Sequence, residues 1–230
     1  LILAVLPQIK RIWVITDCST TGKINRKKLM EAVSGIKNVE IRFFDDGSGI
    51  EQDALLEKAR NLSPSDVVFL LDYYTTPGGQ YVDFNHFVPL FTKASPAPVF
   101  THVDMYIGLG VAGGKMNSGY IQGAQAAELG LRVLKGEPAD TIPPQVDRAI
   151  PIFNYQALKR FGIPLNQLPA GSMIVNPPDD FFTKYKYYIL LWISALFIEG
   201  ALIFILFLLL KKQRRLKRDA QQNAAAFEAI

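Results

Sequence analysis

The chain is 230 residues long, 49% apolar and 20% charged, with 25 Lys and Arg against 21 Asp and Glu. That composition excludes a disordered or fibrous chain and is ample for a buried core in one large or two small domains. The single cysteine, Cys18, excludes an internal disulfide framework, so an outer domain has to fold on its hydrophobic core alone.

From the N-terminus, "IKRIWVITD" (Ile9 to Asp17) reads as a continuous apolar strand with a polar end. "INRKKLMEAVSG" follows as a helix with Ile24, Leu29, Met30 and Val33 inward and Gly35 near its C-cap. "VEIRFFDD" (Val39 to Asp46) is a second strand, "GIEQDALLEKARNL" a second helix, and "SDVVFLLDYY" (Ser65 to Tyr74) a third strand. "DFNHFVPLFTKA" is a third helix and "APVFTHVD" (Ala97 to Asp104) a fourth strand. Strict alternation with buried-type strands predicts a parallel sheet covered by helices on both faces, its strands ending in side chains that can meet a ligand. "NSGYIQGAQAAELGLRVLKGEP" is then a helix capped by Asn117 or Ser118 and closed by Gly136, with Tyr120, Ala124, Ala127, Leu131 and Leu134 on one inward face. From Thr141 to Asp180 the chain is Pro-rich and irregular, with a short helix in "NYQALKRFG" and a strand in "GSMIV".

The segment Tyr187 to Leu210 is almost wholly apolar, and at 1.5 Å per residue it reaches roughly 36 Å as a helix, enough to cross a bilayer with some tilt. "KKQRRLKR" follows at once, whereas the preceding flank offers Lys184 and Lys186, so the positive-inside rule puts the C-terminus in the cytoplasm. Tyr185, Tyr187, Tyr188 and Trp192 fit an aromatic belt at the outer interface. Residues 187–230 carry six Lys and Arg against three acids, leaving 19 bases and 18 acids in residues 1–186. The net charge of +4 therefore reports a membrane-stop signal around a nearly neutral outer domain and points to no nucleic-acid partner. Glu199 stands alone in the span; a carboxyl near mid-bilayer faces protein, and we expect it to hydrogen-bond across a helix dimer.

"YIGLGVAGGKMNSG" contains GxGxxG in Gly108, Gly110 and Gly113. A dinucleotide site needs the helix to begin within the motif and an acid about 20 residues on at the end of a second strand. Here the helix starts near Ser118, and Glu128 and Glu137 lie in or at the end of that helix. A P-loop fails too, because Leu109 and Met116 stand where it requires a glycine and a hydroxyl. The stretch is expected to serve backbone geometry at a crossing between two lobes. His86 and His102, the two histidines, have no HExxH, CxxC or GxSxG around them and are expected to be structural or surface residues. Asp45 and Asp46 point to opposite strand faces and read as turn formers. No cofactor, metal or catalytic residue is expected in this chain.

The blocks "IKRIWVITD", "SDVVFLLDYYTTPGGQYV", "PVFTHVDMYIGLGVAGGKMNSGYIQGAQAAELGLRVLKGEP", "IFNYQALKRFGIPLNQLPAGSMIVNPP" and "FFTKYKYYILLW" resemble, in order and spacing, the sensor region of bacterial transmembrane signalling proteins. That region is similar to an ABC-transporter substrate-binding protein fused to a membrane helix and occurs most often in sensor histidine kinases. The resemblance implies an α/β periplasmic-binding-protein-like lobe with a partial second lobe, followed by one transmembrane helix. Residues 1–105 would be the second lobe of the sensor, 106–180 the crossover, helix and return segment toward the first lobe, 181–210 the juxtamembrane and transmembrane helix, and 211–230 a basic cytoplasmic linker. It further implies a fragment of a longer receptor, with sequence before Leu1, a cytoplasmic output domain after Ile230, and a homodimeric state in a bacterial inner membrane.

Ligands in such folds sit beyond the carboxyl ends of parallel strands. Those ends hold Asp17 and Ser19, then Asp72, Tyr73 and Tyr74, then Asp104 and Tyr106. The tyrosines are expected to enclose a small organic ligand while Asp17 and Asp104 accept hydrogen bonds or meet an amine. Lobe closure would shift the segment Asp179 to Lys186 and move the membrane helix. The competing expectation is a membrane-anchored substrate-binding component of an ABC-type transport system.

Overall fold

The computed structural model describes residues 1–144, 149–177 and 181–228. The chain divides into two units, Leu1–Pro177 and Pro178–Ile230. In the first, helix α1 (Ile2–Val5) precedes strand β1 (Arg11–Ile15), α2 (Thr20–Val33), β2 (Glu40–Phe43), α3 (Gln52–Arg60), β3 (Asp66–Leu70), α4 (Phe84–Ala94) and β4 (Val99–Thr101). Strand β5 (Gly113–Met116), α5 (Gly119–Leu134), β6 (Ile150–Asn154), α6 (Tyr155–Arg160) and β7 (Met173–Val175) complete it. All seven strands form one sheet in the order β2-β1-β3-β4-β5-β6-β7. Pairings are parallel except β5 with β6.

Period-two alternation divides the core between the two faces of this sheet. Along β1, Ile12 and Val14 join one cluster with Val5, Phe100, Phe153 and Leu158, while Ile15 joins the other. The second cluster gathers Leu55 and Ala59 of α3 with Phe87, Val88 and Phe91 of α4. Helices therefore cover both faces, and each fully buried large apolar side chain contributes about 1.5–3 kcal/mol. Caps fix where helices begin. Ser19 Oγ accepts from Gly22 N (3.0 Å) to start α2, Asp83 accepts from Asn85 N (3.0 Å) at α4, and Asn154 accepts from Gln156 N (2.9 Å) and Ala157 N (3.2 Å) at α6.

Every predicted strand and helix is present, and α1, β5 and β6 are additional. β5 arises inside the glycine stretch because its neighbours admit no side chain there: a Cβ at Gly114 would collide with the Thr101 carbonyl, and one at Gly113 with Phe153. At Gly110, φ is +96° and Thr92 fills the space a Cβ would take.

Two expectations about helix faces are corrected. On α2, Leu29 and Val33 are partly covered, but Ile24 and Met30 are exposed, because the helix lies on the sheet with a narrower stripe than the sequence pattern implied. On α5, no residue is buried; Tyr120, Leu131 and Leu134 face outward, so its apolar stripe is uncovered among the described residues.

In the second unit, α7 (Phe181–Glu228) is a continuous helix of 48 residues. Its stretch Lys184–Arg218 is long and apolar enough to cross a membrane, and nearly all its large apolar side chains are exposed. Asp179 and Asp180, expected to belong to the transmission segment, lie outside the described residues.

Candidate functional site

The strand order places a topological switch between β1 and β3: after β1 the chain goes outward to β2, then returns to the other side of β1. In open parallel sheets that switch opens a crevice at the carboxyl ends. The loops after β1 and β3 are joined there by Asp17, which is only 3% exposed. Its Oδ1 accepts from Ser19 N (3.1 Å) and Ser19 Oγ (2.5 Å), and its Oδ2 accepts from Tyr74 N (2.9 Å). Gly22 in the first turn of α2 must lack a Cβ, since one would run into Asp17. Asp17 and Ser19 thus form a polar clasp holding the loops after β1 and β3 together.

Asp72, also 3% exposed, accepts at Oδ2 from Asn25 Nδ2 (3.0 Å) on α2. Burial raises its carboxyl above the usual range; the Asn25 hydrogen bond and His102 oppose that rise, and Asp17 adds to it. His102 directly follows β4, and its Nδ1 is buried with no hydrogen-bond partner among the described residues. Burial lowers its pKa, and the nearby Asp72 opposes the fall. Both shifts favour the uncharged forms: desolvation outweighs the mutual attraction of the pair. His102 also borders an apolar recess of about 290 Å³ on the sheet face, lined by Val14, Phe69, Phe100 and Leu29, with Lys115 at its edge.

The three tyrosines separate. Tyr73 is 2% exposed, its hydroxyl donates to the Ile50 carbonyl (2.7 Å), and its ring packs on Phe87 at 4.9 Å. Tyr106 is 1% exposed, stands edge-on to Phe84 at 5.6 Å, and lies near the Tyr74 side chain. Burial pushes both phenols upward. Tyr74 is half-buried, and Tyr81, across the same loop, is 68% exposed. Asp104 opens the short turn Asp104–Tyr106 half-buried, and it makes no side-chain hydrogen bond among the described residues.

Of the expected residues, the fold brings Asp17, Ser19, Asp72 and Tyr74 together at the carboxyl ends of β1 and β3. It sets Tyr73 and Tyr106 behind them in the core, and Asp104 on the neighbouring loop. Asn25 and His102 join the cluster without having been expected. The signal for His102 was its place near the carboxyl end of the fourth strand; for Asn25, its place on the second turn of the helix that Ser19 caps. Among the described residues no group of three or more His, Cys, Asp and Glu is arranged to hold a metal.

No family model matches the sequence, and no curated protein matches it. Solved structures do. A ligand-free, open substrate binding protein with adhesive properties from Clostridium difficile aligns with TM-score 0.58 at 17% identity, over 76% of this chain and 57% of its own. The fold is substrate-binding-protein-like. An ABC domain from Streptococcus pneumonia in complex with L-Trp aligns with TM-score 0.53 at 16% identity, over 76% of this chain and 58% of its own. A conserved domain protein from Vibrio cholerae aligns with TM-score 0.51 at 20% identity, over 75% and 57%. The chain thus spans a little under three fifths of each of these structures.

Proposed function

We propose that this chain is the extracytoplasmic ligand-sensing region of a transmembrane signalling receptor, with residues 1–186 outside a bacterial inner membrane and the C-terminus in the cytoplasm. The observation that supports it is the cluster of hydrogen-bonded polar side chains at the β1/β3 switch of a substrate-binding-protein-like sheet, on a chain whose C-terminal helix is long and apolar enough for a membrane. The ligand is a small organic molecule with a hydrogen-bonding or amine group that meets Asp72, Tyr74 and Asp104. The Streptococcus neighbour holds L-Trp, which makes amino acids the first probes. Residues 1–105 act as the second lobe; the uncovered apolar face of α5 supports residues 106–180 as the segment that reaches toward the first. Lobe closure displaces α7, and the output domain is a histidine kinase.

A transport component is the second reading, favoured by the substrate binding protein among the neighbours. The basic run directly after the span supports the receptor, because the positive-inside rule favours a cytoplasmic C-terminal end from which an output domain could be driven.

The test is calorimetric titration of the membrane-reconstituted chain with the amino acids and small amines. Binding that weakens at least tenfold in Asp72→Ala and Tyr74→Ala supports the site. Binding that is unchanged in both removes it.

A further inference from the structure

We propose that the apolar recess on the sheet face is a second ligand site, which takes a carboxylic acid on an apolar body of about the size of a medium-chain fatty acid, its carboxylate held between Lys115 and His102. The proposal rests on the recess alone and needs neither the receptor reading nor the ligand assigned to Asp72 and Tyr74.

The register of the sheet builds the floor. Val14 pairs with Phe69 and Phe69 with Phe100, so these three side chains stand in one row across β1, β3 and β4. One level toward the amino ends of the strands, the same face carries Ile12 beside Ile41. One level toward the carboxyl ends it carries His102, two residues past Phe100, and Lys115, two residues past the Gly113 that pairs with Phe100. Both border the recess, and Leu29 and Val33 of α2 wall it from above. The result is an apolar slot with its basic groups at one end. Its volume of about 290 Å³ stands at the lower limit of small-molecule sites, roughly 300 Å³. That is the scale of a medium-chain acid and too small for a full-length lipid tail.

The polar end lacks partners. Lys115 is exposed and makes no ion pair or side-chain hydrogen bond among the described residues. The His102 ring stands 6.2 Å from that of Phe69, and its Nδ1 is buried and unpaired among the described residues. A buried polar atom without a partner is rare in a native fold and calls for a group to satisfy it. A carboxylate accepts from an imidazole N–H and an ammonium together, and those bonds are charge-assisted. An amine on the same apolar body would meet Lys115 as a like charge, and a plain hydrocarbon would leave Nδ1 unsatisfied. Asp72, the acid that acts on His102, is hydrogen-bonded to Asn25 (3.0 Å), and burial favours its uncharged form, which lessens its repulsion of an incoming carboxylate.

Calorimetric titration of the full chain in phosphatidylcholine nanodiscs with sodium octanoate tests this, with the heat of empty nanodiscs subtracted. Saturable binding at one site is expected. Lys115→Met, which keeps the apolar stem, should weaken it about tenfold or more, the scale of a hydrogen bond to a charged group, and Lys115→Arg should retain it. His102→Phe, which keeps a ring against Phe69, should weaken it several-fold. Val33→Trp, which fills the recess from a half-buried position, should abolish it, with near-ultraviolet circular dichroism reporting that the fold is kept. Octylamine should show no saturable heat beyond that of empty nanodiscs. Octanoate heat no greater than that of empty nanodiscs, equal affinity in Lys115→Met, or octylamine bound as tightly as octanoate would overturn the proposal. Tyr74→Ala should leave octanoate affinity unchanged, so failure of the amino-acid titrations and failure of this site are separate results.

Discussion

Tyr73 was expected at the ligand and is found in the core, and its substitution separates those roles. Its hydroxyl donates to the Ile50 carbonyl at 2.7 Å, with both residues buried. Tyr73→Phe removes that bond and leaves the carbonyl unpaired, a loss of about 1–3 kcal/mol. Tyr73→Ala also deletes a ring packed at 4.9 Å on Phe87 and opens a cavity, a loss of about 3–5 kcal/mol. For a unit of this size each kcal/mol moves Tm by roughly 2–4 °C, so Tyr73→Phe should melt about 2–12 °C lower and Tyr73→Ala about 6–20 °C lower. Thermal unfolding of the full chain in lipid nanodiscs, followed by tryptophan fluorescence, measures this, because Trp13 packs on Phe44 against the same core cluster. Ligand affinity extrapolated to the folded fraction should not change in Tyr73→Phe. Unaltered stability together with lost affinity would refute the core assignment.

Three further outcomes follow from the same geometry. Burial holds the His102 pKa below 6.5, so the unfolded chain binds the proton more readily; stability is full above about pH 6.5 and falls as pH drops from there toward the lowered folded value. His102→Gln should flatten that part of a pH–stability profile, and an unchanged slope would count against it. Asp72 shifts the other way: its raised folded pKa contributes stability that is full below about pH 3.8 and is lost as pH rises through the folded value; Asp72→Asn, which can still accept from Asn25, should be neutral or stabilising at pH 7 by denaturant midpoint while weakening the proposed ligand binding. Gly114→Ala drives a methyl into the Thr101 carbonyl where β4 meets β5, and should cost several kcal/mol, visible as lost expression or early amide exchange in β5.

The fold was legible where hydrophobic periodicity carried it. β1, β3 and β4 are runs of Ile, Val and Phe buried on both sides, a signature that a parallel sheet imposes. β5 escaped because Gly-Gly-Lys-Met has neither apolar run nor alternation; its pairing depends on Thr101 and Phe153 approaching where glycine leaves room, a tertiary fact. β6 escaped for a related reason: Ile150–Asn154 lies in a Pro-rich region and pairs antiparallel to β5 across 30 or more residues of chain. The α5 stripe was visible and misread, since a 3.6-residue period reports that a face is apolar, not that its partner lies within the same described unit.

The site divides along a similar line. That the ends of β1, β3 and β4 would be polar was readable, because each apolar run stops at an aspartate or histidine. Which of those side chains turn toward the crevice was not, because consecutive residues after a strand leave on opposite faces. Asp72 and Tyr73 are neighbours, yet one meets Asn25 of α2 and the other Phe87 of α4 on the far side of the sheet. The same alternation makes Asp17 a clasp: its two oxygens hold Ser19 and the Tyr74 backbone, fixing the spacing between the loops before any ligand arrives. Asp17→Asn would replace one acceptor with a donor facing an N–H. The two loops should then separate or disorder, so in the proposed function Asp17 governs affinity through the loops it joins, whereas Asp72 and Tyr74 are the groups assigned to the ligand.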